Sequence, residues 1–141
     1  MTTYFVTGAT GAVGSAVVAR LLADPQARVV ALVRAESAPA ASARLRSTLA
    51  ALDAGAEALR RVQALAGDVE SLRMGLSDED YGSLVANCSH VIHCAGAVRM
   101  NLPLAAARRS AVGGARHVLE LGRALADAGR LAKIEIGRAH V

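Results

Sequence analysis

Three glycines spaced three residues apart near the N-terminus form the strongest chemical signal in the sequence. Residues 7–14 read Thr-Gly-Ala-Thr-Gly-Ala-Val-Gly, between a β-prone run at residues 4–7 and a segment with helical spacing of apolar residues. Gly8 permits a tight strand-to-helix turn, Gly11 permits close approach of a ligand to the backbone, and Gly14 permits close packing of the helix on the strand. Free amides at the helix N-terminus would then face an anion, so the spacing predicts a site for the pyrophosphate of a dinucleotide. A glycine-rich turn without a ligand is the alternative.

An arginine ends the second predicted strand, where dinucleotide-binding chains that prefer NAD carry Asp or Glu. The chain reads Leu-Val-Arg-Ala over residues 32–35, and no carboxylate follows before Glu36. Since an arginine there accommodates the 2′-phosphate of NADP, Arg34 predicts a preference for NADP(H). An ordinary exposed arginine is the alternative for Arg34. Arg44, in the following helix, is a second possible phosphate contact, although an exposed helix face is the favoured interpretation for it.

Strand and helix periodicities alternate along the chain. Strands are predicted at residues 4–7, 28–33, 62–66, 90–94 and 131–134, and helices at residues 13–22, 40–52, 77–86 and 110–128. No hairpin signal interrupts the alternation, which predicts right-handed βαβ units. We therefore expect an α/β fold with a doubly wound parallel sheet covered by helices on both faces.

Composition excludes several classes of protein. The 141 residues suffice for one domain or part of one, and 53% hydrophobic residues exclude intrinsic disorder. No apolar run reaches the roughly 18–20 residues that cross a bilayer, and the N-terminus lacks the basic region of a signal peptide, so we expect a cytoplasmic protein without a membrane span. The net charge of +4 comes from scattered arginines in a chain without Trp, so we expect no nucleic-acid partner. The two cysteines and four histidines lack metal-ligand spacing, so no metal site is expected.

Four segments, in this order, resemble the extended short-chain dehydrogenase/reductases of the NAD(P)-binding Rossmann superfamily. They are the glycine motif of residues 7–14, Leu-Val-Arg at 32–34, Gly-Asp-Val at 67–69 and Val-Ile-His-Cys-Ala-Gly at 91–96. Residues 76–81 and 98–103 are similar to one branch, which contains thioester reductase and male-sterility-type fatty acyl reductase domains. The resemblance covers residues 3 to about 134 and implies reduction, with NADPH, of acyl groups bound to a carrier or to coenzyme A.

The resemblance also implies a set of cofactor-binding residues. Asp68 and Val69 would flank the adenine, although a turn residue after a strand is an equal alternative for Asp68. Cys94, Ala95 and Gly96 would line the ribose and nicotinamide side, although a packed pair at the strand end is the favoured interpretation of His93 and Cys94. The full set comprises Thr7, Gly8, Thr10, Gly11, Ala12, Val13, Gly14, Arg34, Arg44, Asp68, Val69, Cys94, Ala95 and Gly96.

Two departures from the family pattern bear on catalysis. Ala111 stands where the family carries the Asn of Asn-Val-x-Gly-Thr. The family also uses a Ser or Thr and a Tyr-x-x-x-Lys pair, in which Lys lowers the Tyr pKa for proton donation. The one lysine, Lys133, has Gly129 four residues before it, so the chain contains no such pair and no catalytic residue is assigned. We expect a reductase only in the full-length protein. A non-catalytic NADP-binding sensor or scaffold is the alternative, as is a nucleotide-sugar epimerase or dehydratase, which Arg34 disfavours.

The domain division follows from the same resemblance. Residues 1–134 are expected to be the N-terminal part of a Rossmann domain whose sheet is truncated after about five strands. Residues 135–141, Glu-Ile-Gly-Arg-Ala-His-Val, match the translation of a common sequencing adapter, so we expect a non-native tail there, with a natural tail as the alternative. The substrate and the oligomeric state are left open.

Overall fold

Five parallel strands form a single sheet in the computed structural model, which describes residues 1–136. The strands are β1 (Thr2–Thr7), β2 (Ala27–Val33), β3 (Val62–Ala66), β4 (His90–His93) and β5 (Lys133–Ile136). Their order across the sheet is β3-β2-β1-β4-β5, and every neighbouring pair is parallel. The predicted α/β fold with a parallel sheet is therefore confirmed.

Six α-helices connect these strands: α1 (Ala12–Leu22), α2 (Ala38–Ala50), α3 (Ala56–Leu59), α4 (Asp78–Asn87), α5 (Leu104–Arg108) and α6 (Gly114–Asp127). A 3₁₀ turn, Leu72–Gly75, precedes α4. Side-chain caps set two of the helix starts: Ala40 N–H donates to Ser37 Oγ at 3.2 Å, and Asp80 N–H donates to Ser77 Oγ at 3.1 Å. Gly129, at φ +68°, terminates the last helix as predicted.

The helix predicted at residues 110–128 differs from the observed one. Helical structure begins earlier, with α5, and a π-helical turn at Arg109–Gly113 separates α5 from α6. Ser110, in this turn, and Gly114, directly after it, are both buried and lie against the loops at the sheet edge. A periodicity of 3.6 residues carries no mark of an inserted residue, which explains why the pattern predicted one continuous helix.

Apolar side chains cover both faces of the sheet. On one face, α1 and α2 pack Val18, Leu22, Leu45 and Leu49 against Val6, Val29, Ala31 and Val33. On the other face, α4 and α6 pack Leu84, Val118, Leu121 and Leu125 against Phe5, Val30, Leu65 and Val91. The interior strand β2 contributes to both cores, which is why its sequence is apolar without alternation.

The fifth strand lies two residues later than predicted. Glu135 pairs with Ile92 and Ile136 pairs with His93, so two residues of the expected tail belong to the sheet. The rest of that tail, residues 137–141, lies outside the described residues, and the division at residue 134 stays a prediction.

Candidate functional site

A cleft lies at the edge of the sheet formed by the carboxyl ends of the strands. It is next to β1 and β4, where the direction of the strand order reverses. From β1 the chain continues to β2 and β3 on one side of the sheet and then crosses to β4 on the other. Ligands of open α/β sheets bind at such switch points. The cavity there measures about 370 Å³ and is lined by Gly8, Thr10, Gly11, Ala12, Val13, Gly14, Leu32, Arg34, Arg44, Gly67, Asp68, Val69, Cys94, Ala95, Gly96 and Val98. The tertiary structure thus gathers every residue of the expected set except Thr7.

The glycine turn is required by close backbone approaches. Gly8 has a φ of +69°, and a Cβ there would lie 2.6 Å from the Ala95 nitrogen. A Cβ on Gly14 would lie 2.6 Å from the carbonyl carbon of Gly8. Gly11 is the N-cap of α1 and donates its N–H to Gly8 O at 3.0 Å. With no acidic residue in the first turn of α1, its unpaired amides and helix dipole present positive potential to the cleft.

Two arginines stand at the β2 end of the cleft. Arg44 Nη1 donates to the Arg34 backbone carbonyl at 2.7 Å, which holds the exposed Arg44 side chain at the end of β2. Arg34 Nε lies 3.3 Å from Asp68 Oδ2, and the side chains are 70% and 33% exposed, so this ion pair contributes little to stability. Its geometric consequence is larger: the pair joins the ends of β2 and β3 at one rim of the cleft.

Thr7 lies beneath the cleft. It is fully buried, and its Oγ1 accepts the Ala95 N–H at 3.2 Å and shares a hydrogen bond of 2.6 Å with His93 Nδ1. Burial lowers the pKa of His93, which keeps the imidazole neutral, and burial raises the pKa of the half-buried Cys94 thiol. Thr7 therefore joins β1 to the loop after β4 from below, and it does not line the cavity.

A strained turn supports the wall that carries Asp68. Arg73 and Met74 adopt φ values of +50° and +59°, which non-glycine residues rarely do. The Met74 carbonyl accepts the Asp68 N–H at 2.9 Å. Arg73 holds the turn from outside, because its Nη1 donates to Asp78 Oδ1 at 2.6 Å and its guanidinium lies 4.2 Å from the centre of the Tyr81 ring.

Three lining residues were not predicted: Leu32, Gly67 and Val98. Gly67 directly precedes Asp68 in the Gly-Asp-Val segment, so the sequence motif already contained this residue. A Cβ at Gly67 would lie 2.6 Å from Leu32 Cδ1. Leu32 and Val98 also lie in segments that carried the resemblance, residues 32–34 and 98–103, but an apolar residue at a strand end or in a loop is equally consistent with a core or a surface position.

Within residues 1–136, no three His, Cys, Asp or Glu side chains gather as a metal site. No helix in that range is long and apolar enough to cross a membrane.

Comparisons with known proteins agree with the fold. The family model described as male sterility protein, an NAD-binding family, matches residues 6–132. The chain is 38% identical over 122 residues to the L-2-aminoadipate reductase large subunit of Penicillium chrysogenum, covering 84% of this chain and 9% of that protein. It is 32% identical over 127 residues to a glycine betaine reductase of Emericella nidulans, covering 84% of this chain and 10% of that protein.

Among solved structures, the terminal R domain from the myxalamid PKS-NRPS biosynthetic pathway superimposes with a TM-score of 0.83 at 26% identity. That match covers 99% of this chain and 38% of the R domain. The chain therefore spans about a tenth of the curated relatives and well under half of the solved domain. These matches confirm the resemblance to thioester reductase and male-sterility-type domains: the chain belongs to the male sterility protein family of NAD(P)-binding domains.

Proposed function

We propose that the chain binds NADP(H) and supplies the cofactor-binding part of a reductase that uses NADPH to reduce a carbonyl or an acyl thioester. The observation that carries this proposal is the cleft in which the N-terminus of α1 and two arginines present positive potential together. NADP(H) carries its negative charge on two groups, the pyrophosphate and the 2′-phosphate, which would face the helix N-terminus and the arginines respectively.

The residues of the cleft suggest an orientation for the cofactor. The pyrophosphate would lie on the amides of α1, because these lack partners within the helix. The adenosine half would extend over the ends of β2 and β3, toward Asp68 and Val69. The nicotinamide half would extend over the end of β4, where Ala95 and Gly96 allow a close approach. The bound cofactor supplies the hydride, and these residues bind and orient it.

Preference for NADP over NAD depends on Arg34 in this proposal. A guanidinium has five N–H donors, and Asp68 engages the Nε group alone. The terminal nitrogens of Arg34, together with Arg44, would then bind the 2′-phosphate through charge-assisted hydrogen bonds. The ion pair with Asp68 also holds the Arg34 side chain at the rim, which reduces the entropy lost on binding.

A titration of the purified chain with NADPH and with NADH tests the proposal. We expect tighter binding of NADPH, and we expect Arg34→Ala to weaken NADPH binding roughly 10- to 100-fold, since charged hydrogen bonds contribute about 1.5–3 kcal/mol, while NADH binding changes little. Arg46→Ala is the matched control, because Arg46 is an exposed arginine of α2 that does not line the cleft. Equal affinities of the wild-type chain for the two cofactors would refute the assignment of Arg34.

The substrate side of the proposal concerns the full-length protein. We propose a small-molecule substrate, or an acyl group carried on coenzyme A or a carrier protein, in keeping with the reductase names of the relatives. The purified chain should oxidise no NADPH in the presence of acyl thioesters or aldehydes, because its sequence contains no Tyr-x-x-x-Lys pair to donate the proton. Measurable turnover by the 141-residue chain would contradict this expectation.

A further inference from the structure

The helical segment after β4 makes one hydrogen bond to each of the two loops that wall the cleft. Ser110, in the π-helical turn, is buried, and its Oγ accepts the Ala97 N–H at 3.2 Å. His117, on α6, places Nδ1 2.6 Å from the Val69 carbonyl oxygen. A carbonyl can only accept, so Nδ1 of His117 carries the proton and donates it.

The two bonded loops lie on opposite sides of the glycine turn. Val69 follows β3, on the side toward Arg34, whereas Ala97 follows β4. Gly114 lies between the two contacts in sequence, and a Cβ there would lie 3.1 Å from Val69 Cγ2, so a larger residue would push this wall. The width of the cleft is therefore set in part by one helical segment that contacts both loops.

The segment that makes both contacts contains the π-helical turn. Ser110 is buried within this turn, and His117, seven positions later on α6, is half-buried. Such turns occur frequently at functional sites. Nothing in the family motif of residues 111–115 requires a histidine at position 117.

We propose that His117 and Ser110 are positioning residues of the dinucleotide cleft, each for one half of the ligand. His117 holds the wall at Val69 for the adenosine half, and Ser110 holds the loop of residues 95–97 for the nicotinamide half. This inference rests on the proposed function, because it assumes that the cleft binds NADP(H) in the orientation given above.

Two pairs of variants separate hydrogen bonding from packing. His117→Phe keeps an aromatic ring and removes the donor, whereas His117→Asn restores a donor, since its amide nitrogen is as many bonds from the backbone as Nδ1. Ser110→Ala removes the hydroxyl, and Ser110→Thr keeps it. Leu119→Ala is the control, because Leu119 is a neutral residue of α6 that is 51% exposed and contacts neither loop by hydrogen bonds.

Calorimetric titration of each variant with adenosine 2′,5′-bisphosphate and with NADPH tests the inference, with thermal unfolding recorded in parallel. His117→Phe should weaken the binding of both ligands roughly threefold to tenfold, the loss of affinity expected for one hydrogen bond. His117→Asn should recover most of this affinity. Ser110→Ala should weaken NADPH by a similar factor and leave adenosine 2′,5′-bisphosphate unchanged, with recovery in Ser110→Thr. Leu119→Ala should bind both ligands like the wild type.

The outcomes distinguish this inference from the proposed function. If the wild-type chain binds both ligands and Ser110→Ala weakens them equally, or His117→Phe weakens neither, the positioning roles are wrong while the proposed function stands. If the wild-type chain binds neither ligand, the proposed function fails, and this inference fails with it.

Discussion

Replacing Gly14 by alanine tests the packing of α1 on the glycine turn more directly than any other single change. The new Cβ would lie 2.6 Å from the carbonyl carbon of Gly8 and 3.1 Å from the Cα of Ala9. All of these neighbours are backbone atoms, so no side-chain rotation can make room. The helix must move away from the end of β1, and the amides that face the cleft must move with it.

The loss in free energy of unfolding expected for Gly14→Ala is the balance of two opposing effects. Carbon atoms pack best at about 3.5–4.0 Å, so the contact with the Gly8 carbonyl carbon is roughly 1 Å too short, and the Gly8 carbonyl oxygen lies closer still. Overpacking of this kind costs about 1–3 kcal/mol, and backbone neighbours favour the upper end of that range. Alanine in place of glycine inside a helix recovers about 1 kcal/mol. We therefore expect Gly14→Ala to lower the free energy of unfolding by about 1–2 kcal/mol, a fall in Tm of roughly 4–8 °C at this size.

Gly82→Ala is the matched control. Gly82 lies inside α4, is exposed, and a Cβ there would meet nothing within 4 Å. The same chemical change should therefore raise the free energy of unfolding by about 0.5–1 kcal/mol. Thermal and urea unfolding followed by circular dichroism would measure both variants against the wild-type chain. A Gly14→Ala protein that unfolds at or above the wild-type temperature would refute the packing argument, whatever Gly82→Ala does.

Three further predictions concern stability. The Arg61 guanidinium donates at 2.7–2.8 Å to three carbonyls around the turn between α1 and β2, a geometry that an ammonium cannot match. Arg61→Ala should therefore lower the free energy of unfolding in urea by about 2–3 kcal/mol, and Arg61→Lys should restore little of it. A loss below about 0.5 kcal/mol would contradict this. Burial raises the pKa of the Cys88 thiol from 9.0 to about 11, so the unfolded chain ionises first and the free energy of unfolding should fall by about 2 kcal/mol as the pH rises from 9 to 11. Cys88→Ala should flatten that dependence, and an unchanged slope would count against it. Ser77→Ala should cost about 1 kcal/mol by removing the cap that accepts the Asp80 N–H, and a neutral result would show that solvent replaces the cap.

Local patterns predicted much of the fold. The bounds of β3 agree with the prediction, and α1 and β2 begin one residue earlier than predicted. The periods of strands and helices follow from the local backbone conformation and from which side chains of one element are buried. A short stretch of sequence therefore contains them. The alternation of the two periods was enough to predict a parallel, doubly wound sheet, because parallel strands need crossover connections.

The helical segment after β4 was predicted less well, for a physical reason. It contains a π-helical turn at Arg109–Gly113, and Ser110 and Gly114 lie against loops that precede the segment in the chain. Nothing in the local periodicity distinguishes this segment from a continuous helix. The roles of Ser110 and His117 at the cleft were missed for the same cause.

By itself, the sequence located the glycine turn and the arginine at the end of β2; the anion site and the preference for NADP(H) inferred from them are predictions. The glycine spacing indicates a tight turn, and the arginine places a positive charge at a strand end. Both are local properties of the sequence, one of backbone conformation and one of charge. Only the tertiary structure decided which of these residues meet. Thr7 and His93 lie 86 residues apart and His117 and Val69 lie 48 apart, yet each pair is within hydrogen-bonding distance. Those contacts depend on the strand order β3-β2-β1-β4-β5, which is set by packing both faces of the sheet at once and is encoded in no single segment of the chain.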